Sequence, residues 1–110
     1  MAPESLPLLQ GTLDLLVLRT LAAGPMHGFG IALAVHERTD GTLAVEDAAL
    51  YQALHRLDRQ GFVDAEWRAS DNNRRARYYA LTLAGRKRLR EQTASWRRYV
   101  QAVDAILQGA

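Results

Sequence analysis

Thirteen arginines against a single lysine are the first chemical signal in this sequence, and nine of those arginines follow residue 66. Residues 67–110 hold ten cations and three acids, a net charge of +7, whereas residues 1–66 hold four cations and nine acids, a net of −5. The overall +2 therefore conceals a basic half. Arginine's planar fork suits phosphate oxygens and guanine edges, so that half calls for a polyanionic partner or, failing one, forms a solvated basic surface. Other chemistries find less support. His27, His36 and His55 include no pair at the three- or four-residue spacing of a helical metal site, which leaves them as caps or exposed side chains and predicts no metal. Ser5, Ser70 and Ser95 lack a nucleophile elbow or a nearby histidine, so hydrolysis is disfavoured. The absence of cysteine excludes disulfides, thiolate zinc sites and thiol catalysis, and is consistent with a reducing compartment. Gly28 and Gly30 resemble a fragment of a dinucleotide motif, but no strand is expected before them, and they read as a tight helix start. The expectation is a chain that is not an enzyme and carries no cofactor.

The elements that must position the arginines follow from periodicity. At 110 residues, 48% hydrophobic and 24% charged, the chain has the size and composition of one globular unit. Leu6 to Leu21 is apolar but broken by Gln10, Asp14 and Arg19 and too short for a bilayer. The start, Met1-Ala2-Pro3-Glu4, has no basic flank. No membrane association is expected, and the cytoplasm is the expected location. A first helix runs from about Gly11 to Ala23, ending at Gly24-Pro25. Leu13, Leu15, Leu16, Val17, Leu18 and Leu21 make it apolar almost all round, so it is buried on more than one side, in a core, a dimer interface or both.

A second helix spans about Phe29 to Arg38, with Ile31, Ala34 and Val35 inward, and Thr42 to Val45 is extended. The third helix runs from Asp47 to Gln60 and is closed by Gly61. Leu50, Leu54 and Leu57 face the core at i, i+4 and i+7, and the opposite face carries Ala48, Gln52, His55 and Arg59, flanked by Tyr51 and Arg56. A leucine stripe backed by small and hydrogen-bonding side chains suits a helix that enters a groove. The period then drops to two. Val63, Ala65, Trp67 and Ala69 alternate with Asp64, Glu66 and Arg68, which predicts a strand with one buried face and places Trp67 in the core. Ser70-Asp71-Asn72-Asn73 is turn chemistry, and a second strand from Arg75 to Leu81 completes a hairpin. Thr82 caps a last helix from Leu83 towards Gln108. Leu89, Thr93, Trp96, Val100, Val103 and Leu107 step by four, three, four, three and four, a coiled-coil-like seam. That helix is longer than so small a core can cover, and a second copy of the chain is the economical partner.

The order helix, helix, helix, hairpin, long helix predicts a mainly α fold with a small β-hairpin: a winged helix-turn-helix over residues 1–82, then a dimerisation helix over residues 83–110. The major groove admits one helix, and an arginine-bearing hairpin beside it can follow the backbone or reach the minor groove. Double-stranded DNA is the expected partner, contacted by Ala48, Tyr51, Gln52 and His55 on the third helix and by Asn73, Arg74, Arg75 and Arg77 on the wing. The other reading of Tyr51 is a core aromatic lying over that helix. The expected dimer interface comprises Leu16, Leu89, Trp96, Val100, Val103 and Leu107. A winged-helix module that binds another protein is the competing function.

Three stretches carry a family resemblance: Met26 to Ile31 (MHGFGI), Leu50 to Leu57 (LYQALHRL) and Arg77 to Arg86 (RYYALTLAGR). They resemble the PadR family of bacterial regulators, in its short branch with one C-terminal helix, and the similarity spans roughly residues 6–107. The resemblance implies a homodimeric repressor that binds an inverted-repeat operator and is released by a small molecule or under stress. The sequence departs from the family pattern at Gln52, where many members have proline. The added amide can pair with adenine. Trp96 offers a flat apolar face on the seam, and packing is its ordinary role. The resemblance adds the expectation that Trp96 helps bind a small planar aromatic effector.

Overall fold

The computed structural model describes residues 6, 8, 9, 11–69 and 72–109. Helix α1 (Thr12–Leu21) begins after Gly11, whose φ of +87° turns the chain, and ends two residues before Ala23. Val17, Leu18, Thr20 and Leu21 are buried, and the Thr20 hydroxyl is satisfied by donating to the Leu16 carbonyl at 2.7 Å. A strand absent from the expectation follows, β1 (Met26–His27), and leads directly into α2 (Gly28–Arg38). Gly28 thus does follow a strand. That strand has two residues and pairs antiparallel at the outer side of the sheet, so it builds no βαβ unit, and the two glycines serve the helix start. Among the described residues Thr42 to Val45 forms no ladder, and its one bridge is Leu43 to Leu6, whose amide donates to the Thr42 carbonyl at 2.7 Å.

Helix α3 (Asp47–Arg59) turns Leu50, Leu54 and Leu57 into a core where each is at most 2% exposed. Gly61, with φ +80°, supplies the left-handed residue that lets the chain leave α3 and start β2 (Val63–Ala69). Strand β3 (Arg75–Leu81) lies at the centre of a three-stranded antiparallel sheet in the order β1-β3-β2. Its register against β2 runs from Val63 opposite Leu81 to Ala69 opposite Arg75. Of the turn between them, Ser70 and Asp71 lie outside the described residues, while Asn73 takes the left-handed conformation with φ +62°.

One core joins α1, α2, α3 and the sheet, with Val17, Leu18, Ile31, Leu54, Val63 and Tyr79 among its buried members. Trp67 does not belong to it. The face that begins at Val63 is buried at its inner end, but the hairpin runs on past the core, and Trp67 is 55% exposed. The alternation gave the correct face; the length of the hairpin decided that this face leaves the core by the third alternate residue.

Helix α4 (Leu83–Gln108) is capped by Thr82, whose hydroxyl accepts from the Gly85 amide at 3.0 Å and donates to the Gly61 carbonyl at 2.6 Å. At about 1.5 Å per residue it is about 39 Å long. Only Gly85 and Leu89 are buried, and residues 101–109 are exposed throughout. The helix stretches the molecule to 57 × 39 × 21 Å, and the radius of gyration of 15.5 Å exceeds the roughly 13 Å of a compact domain this size.

Candidate nucleic-acid interface

The wing and the start of α2 flank an open cleft of about 710 Å³, to which α3 contributes Tyr51. On the α3 side, burying Leu50, Ala53, Leu54 and Leu57 forces Ala48, Tyr51, Gln52, His55, Arg56 and Arg59 outward. On the wing side, Trp67, Asn72, Arg74, Arg75 and Arg77 line the cleft, and no described carboxylate does. Of the residues read from the sequence as DNA contacts, the cleft gathers Tyr51, Arg74, Arg75 and Arg77. Ala48, Gln52, His55 and Asn73 are exposed but lie outside its lining.

Tyr51 is 52% exposed, and its ring lies against the start of α2. A Cβ built on Gly28 would stand 2.8 Å from the Tyr51 hydroxyl and 3.0 Å from Cζ, so only glycine leaves room for the ring there. The two readings of Tyr51 therefore merge, since the phenol rests on α2 at one side and opens to the cleft at the other. The start of α2 is held by His27, whose Nδ1 accepts from the Gly30 amide at 3.0 Å. The histidine caps the helix, and because that nitrogen accepts, the neutral ring carries its proton on Nε2. Its edge meets Tyr78 with centroids 5.3 Å apart. His27 and Phe29 line the cleft and were missed from the sequence, because a two-residue strand has no period to detect.

Two ion pairs set limits on which cations are available. Arg56 donates to Asp14 through Nη2 at 2.6 Å and Nε at 3.4 Å, tying α3 to α1, and the bond and charge together raise its already high pKa. Its side chain is 44% exposed, so the pair contributes about 0.5 kcal/mol. Arg77 lies 4.0 Å from Asp58 of α3, which links wing to helix. Beneath them, burial pushes the Tyr79 hydroxyl above its ordinary pKa, opposed by the positive charge of Arg77.

Residues 17–91 match the family described as transcriptional regulator PadR-like. The chain belongs to that family. Several solved structures share the PadR-like winged-helix architecture. A PadR family transcriptional regulator from Eggerthella lenta is 29% identical with a TM-score of 0.78, over 92% of this chain and 86% of that one. A transcriptional regulator from Clostridium thermocellum, 22% identical, superposes with a TM-score of 0.82 over 90% and 93%. Among curated proteins, an uncharacterised protein of Lysinibacillus sphaericus is 24% identical over 102 residues, 93% of this chain and 94% of its own length. The PadR-like chain is thus a transcriptional regulator of a DNA-binding family, and no helix among its described residues is long and apolar enough to cross a membrane.

A second region of this PadR-like fold lies on the far side of α1. Trp96 borders three cavities between α1 and α4, one of them an apolar space of about 550 Å³ walled by Leu9, Leu15, Leu16 and Leu43. Its indole stacks on Tyr99 with centroids 6.2 Å apart and an interplanar angle of 26°. The side-chain oxygen of Gln92, beside a neighbouring cavity of about 690 Å³ that Trp96 also lines, is buried with no hydrogen-bond partner among the described residues. Of the seam read from the sequence, Leu89 is spent inside the protomer's own core, Trp96 and Val100 are half-buried, and Val103 and Leu107 are 39% and 77% exposed.

Proposed function

We propose that the protein is a homodimeric repressor that grips an inverted-repeat operator with α3 and the wing and is released by a planar aromatic effector. The observation that carries this reading is the exposed polar face of α3, joined through Tyr51 to the cleft that Arg74, Arg75 and Arg77 of the hairpin line. With α3 in the major groove, Gln52 and His55 read base edges, Ala48 allows close approach, and Asn73 and the wing arginines hold phosphates. Two features support the dimer. The outer half of α4 is exposed among the described residues, and α1 adds Leu16 beside Trp96 and Val100 in a shared groove. Residues 83–110 then act chiefly as the dimerisation element, with residues 1–82 as the DNA-binding unit. Trp96 supplies the stacking surface for the effector, and Gln92 an acceptor for a ligand or partner donor.

The test is a salt-dependent duplex titration. Replacing Arg74, Arg75 and Arg77 by Ala is expected to weaken binding to every sequence and to flatten the salt dependence by about 0.9 for each phosphate no longer neutralised. Gln52→Ala is expected to change sequence preference instead, by about 1–3 kcal/mol at the affected base pair. Duplex binding that is unchanged in both variants overturns the assignment and favours a protein-binding winged helix.

A further inference from the structure

The sheet register places Trp67 directly opposite Arg77, and Arg75 two residues further along the same face of β3. This is the face that carries Val63 and Tyr79 into the core and then continues, uncovered, into the cleft. Both guanidiniums address the same indole, with Cζ of Arg75 5.5 Å and Cζ of Arg77 5.7 Å from the ring. Two cations at i and i+2 on one strand face repel each other and lose rotamer freedom when fixed. A ring whose negative π face both can reach offsets these costs, because the attraction is appreciable within about 6 Å.

We propose that Trp67 is a positioning residue of the nucleic-acid interface: it holds the Arg75 and Arg77 guanidiniums in the cleft, ready for phosphates. The inference rests on the function proposed above. It accounts for a large aromatic that is 55% exposed on a strand whose other inward residues are small or buried. Arg77 has a second anchor in Asp58 at 4.0 Å, so removal of the indole falls harder on Arg75.

The experiment uses the full chain and a labelled duplex of mixed sequence, titrated over a range of salt concentrations. Trp67→Leu keeps apolar bulk and removes the π face. It is expected to lower affinity about 30-fold, from two exposed-site cation–π pairs in each of two protomers. Its salt dependence is expected to become shallower by about 0.9 for each phosphate that the arginines no longer reach, and Trp67→Phe to restore most of both. In an Arg75→Ala/Arg77→Ala background, Trp67→Leu is expected to add nothing. Binding by Trp67→Leu with wild-type affinity and salt slope overturns the inference. So does an equal further weakening in the background lacking Arg75 and Arg77, which would mean that the indole acts on its own, and so does a failure of phenylalanine to rescue. A wild-type chain that binds no duplex overturns the underlying functional reading and the inference with it.

Discussion

Gly85 sits in the first turn of α4, where helix propensity alone favours alanine over glycine by about 1 kcal/mol. The structure reverses that preference. A Cβ at this position would stand 2.0 Å from the Phe62 carbonyl oxygen and 3.2 Å from Leu81 Cδ2, where ordinary contact begins near 3.4 Å. The obstacle is backbone, which cannot swing away as a side-chain tip can. Gly85→Ala must therefore move α4 outward by more than an ångström, away from the loop that joins α3 to the wing. That shift strains the Thr82 hydroxyl between the Gly85 amide and the Gly61 carbonyl, and it loosens Leu89, one turn further on. Overpacking costs about 1–3 kcal/mol and the cap about 1, against a propensity gain of about 1, for a net loss of about 2 kcal/mol. In a domain of this size that lowers Tm by about 8 °C, measurable by circular dichroism at fixed protein concentration. A Gly85→Ala chain that melts at or above the wild-type temperature would refute the close seating of α4 on Phe62.

Three further outcomes are expected. Gly28→Ala collides with the free end of the Tyr51 side chain rather than with backbone, so it should shift Tm little and lower duplex affinity several-fold, as read by fluorescence anisotropy. Val100→Asp with Val103→Asp places charges on the two-fold seam and should yield monomers in sedimentation; a folded, intact dimer would place the interface elsewhere. Because burial raises the Tyr79 pKa, the folded state favours the neutral phenol, so this stability is present below pH about 10 and lost as pH rises through the folded value. Tyr79→Phe should flatten that alkaline loss in urea titrations between about pH 9 and 11.

The sequence alone determined the four helices, the hairpin and their faces. Leucines at 50, 54 and 57 leave a helix only one way to turn, and the change of period at Val63 marks the hairpin to within its observed ends. The charge asymmetry and the length of the last helix already placed arginines on the wing and left an apolar seam exposed. Tertiary structure decided where those faces lead. Trp67 and Val63 share one strand face, and alternation cannot tell that the core ends between them, because burial depends on what packs above the sheet. Leu89 and Leu107 share one helical stripe, yet the first is consumed by the protomer's core and the second is left in solvent. The two-residue strand at Met26, the His27 cap and the seat of Tyr51 on Gly28 depend on neighbours distant in sequence and leave no periodic trace. Periodicity records which side of an element is apolar; only packing assigns that side to a core, a cleft or a second chain.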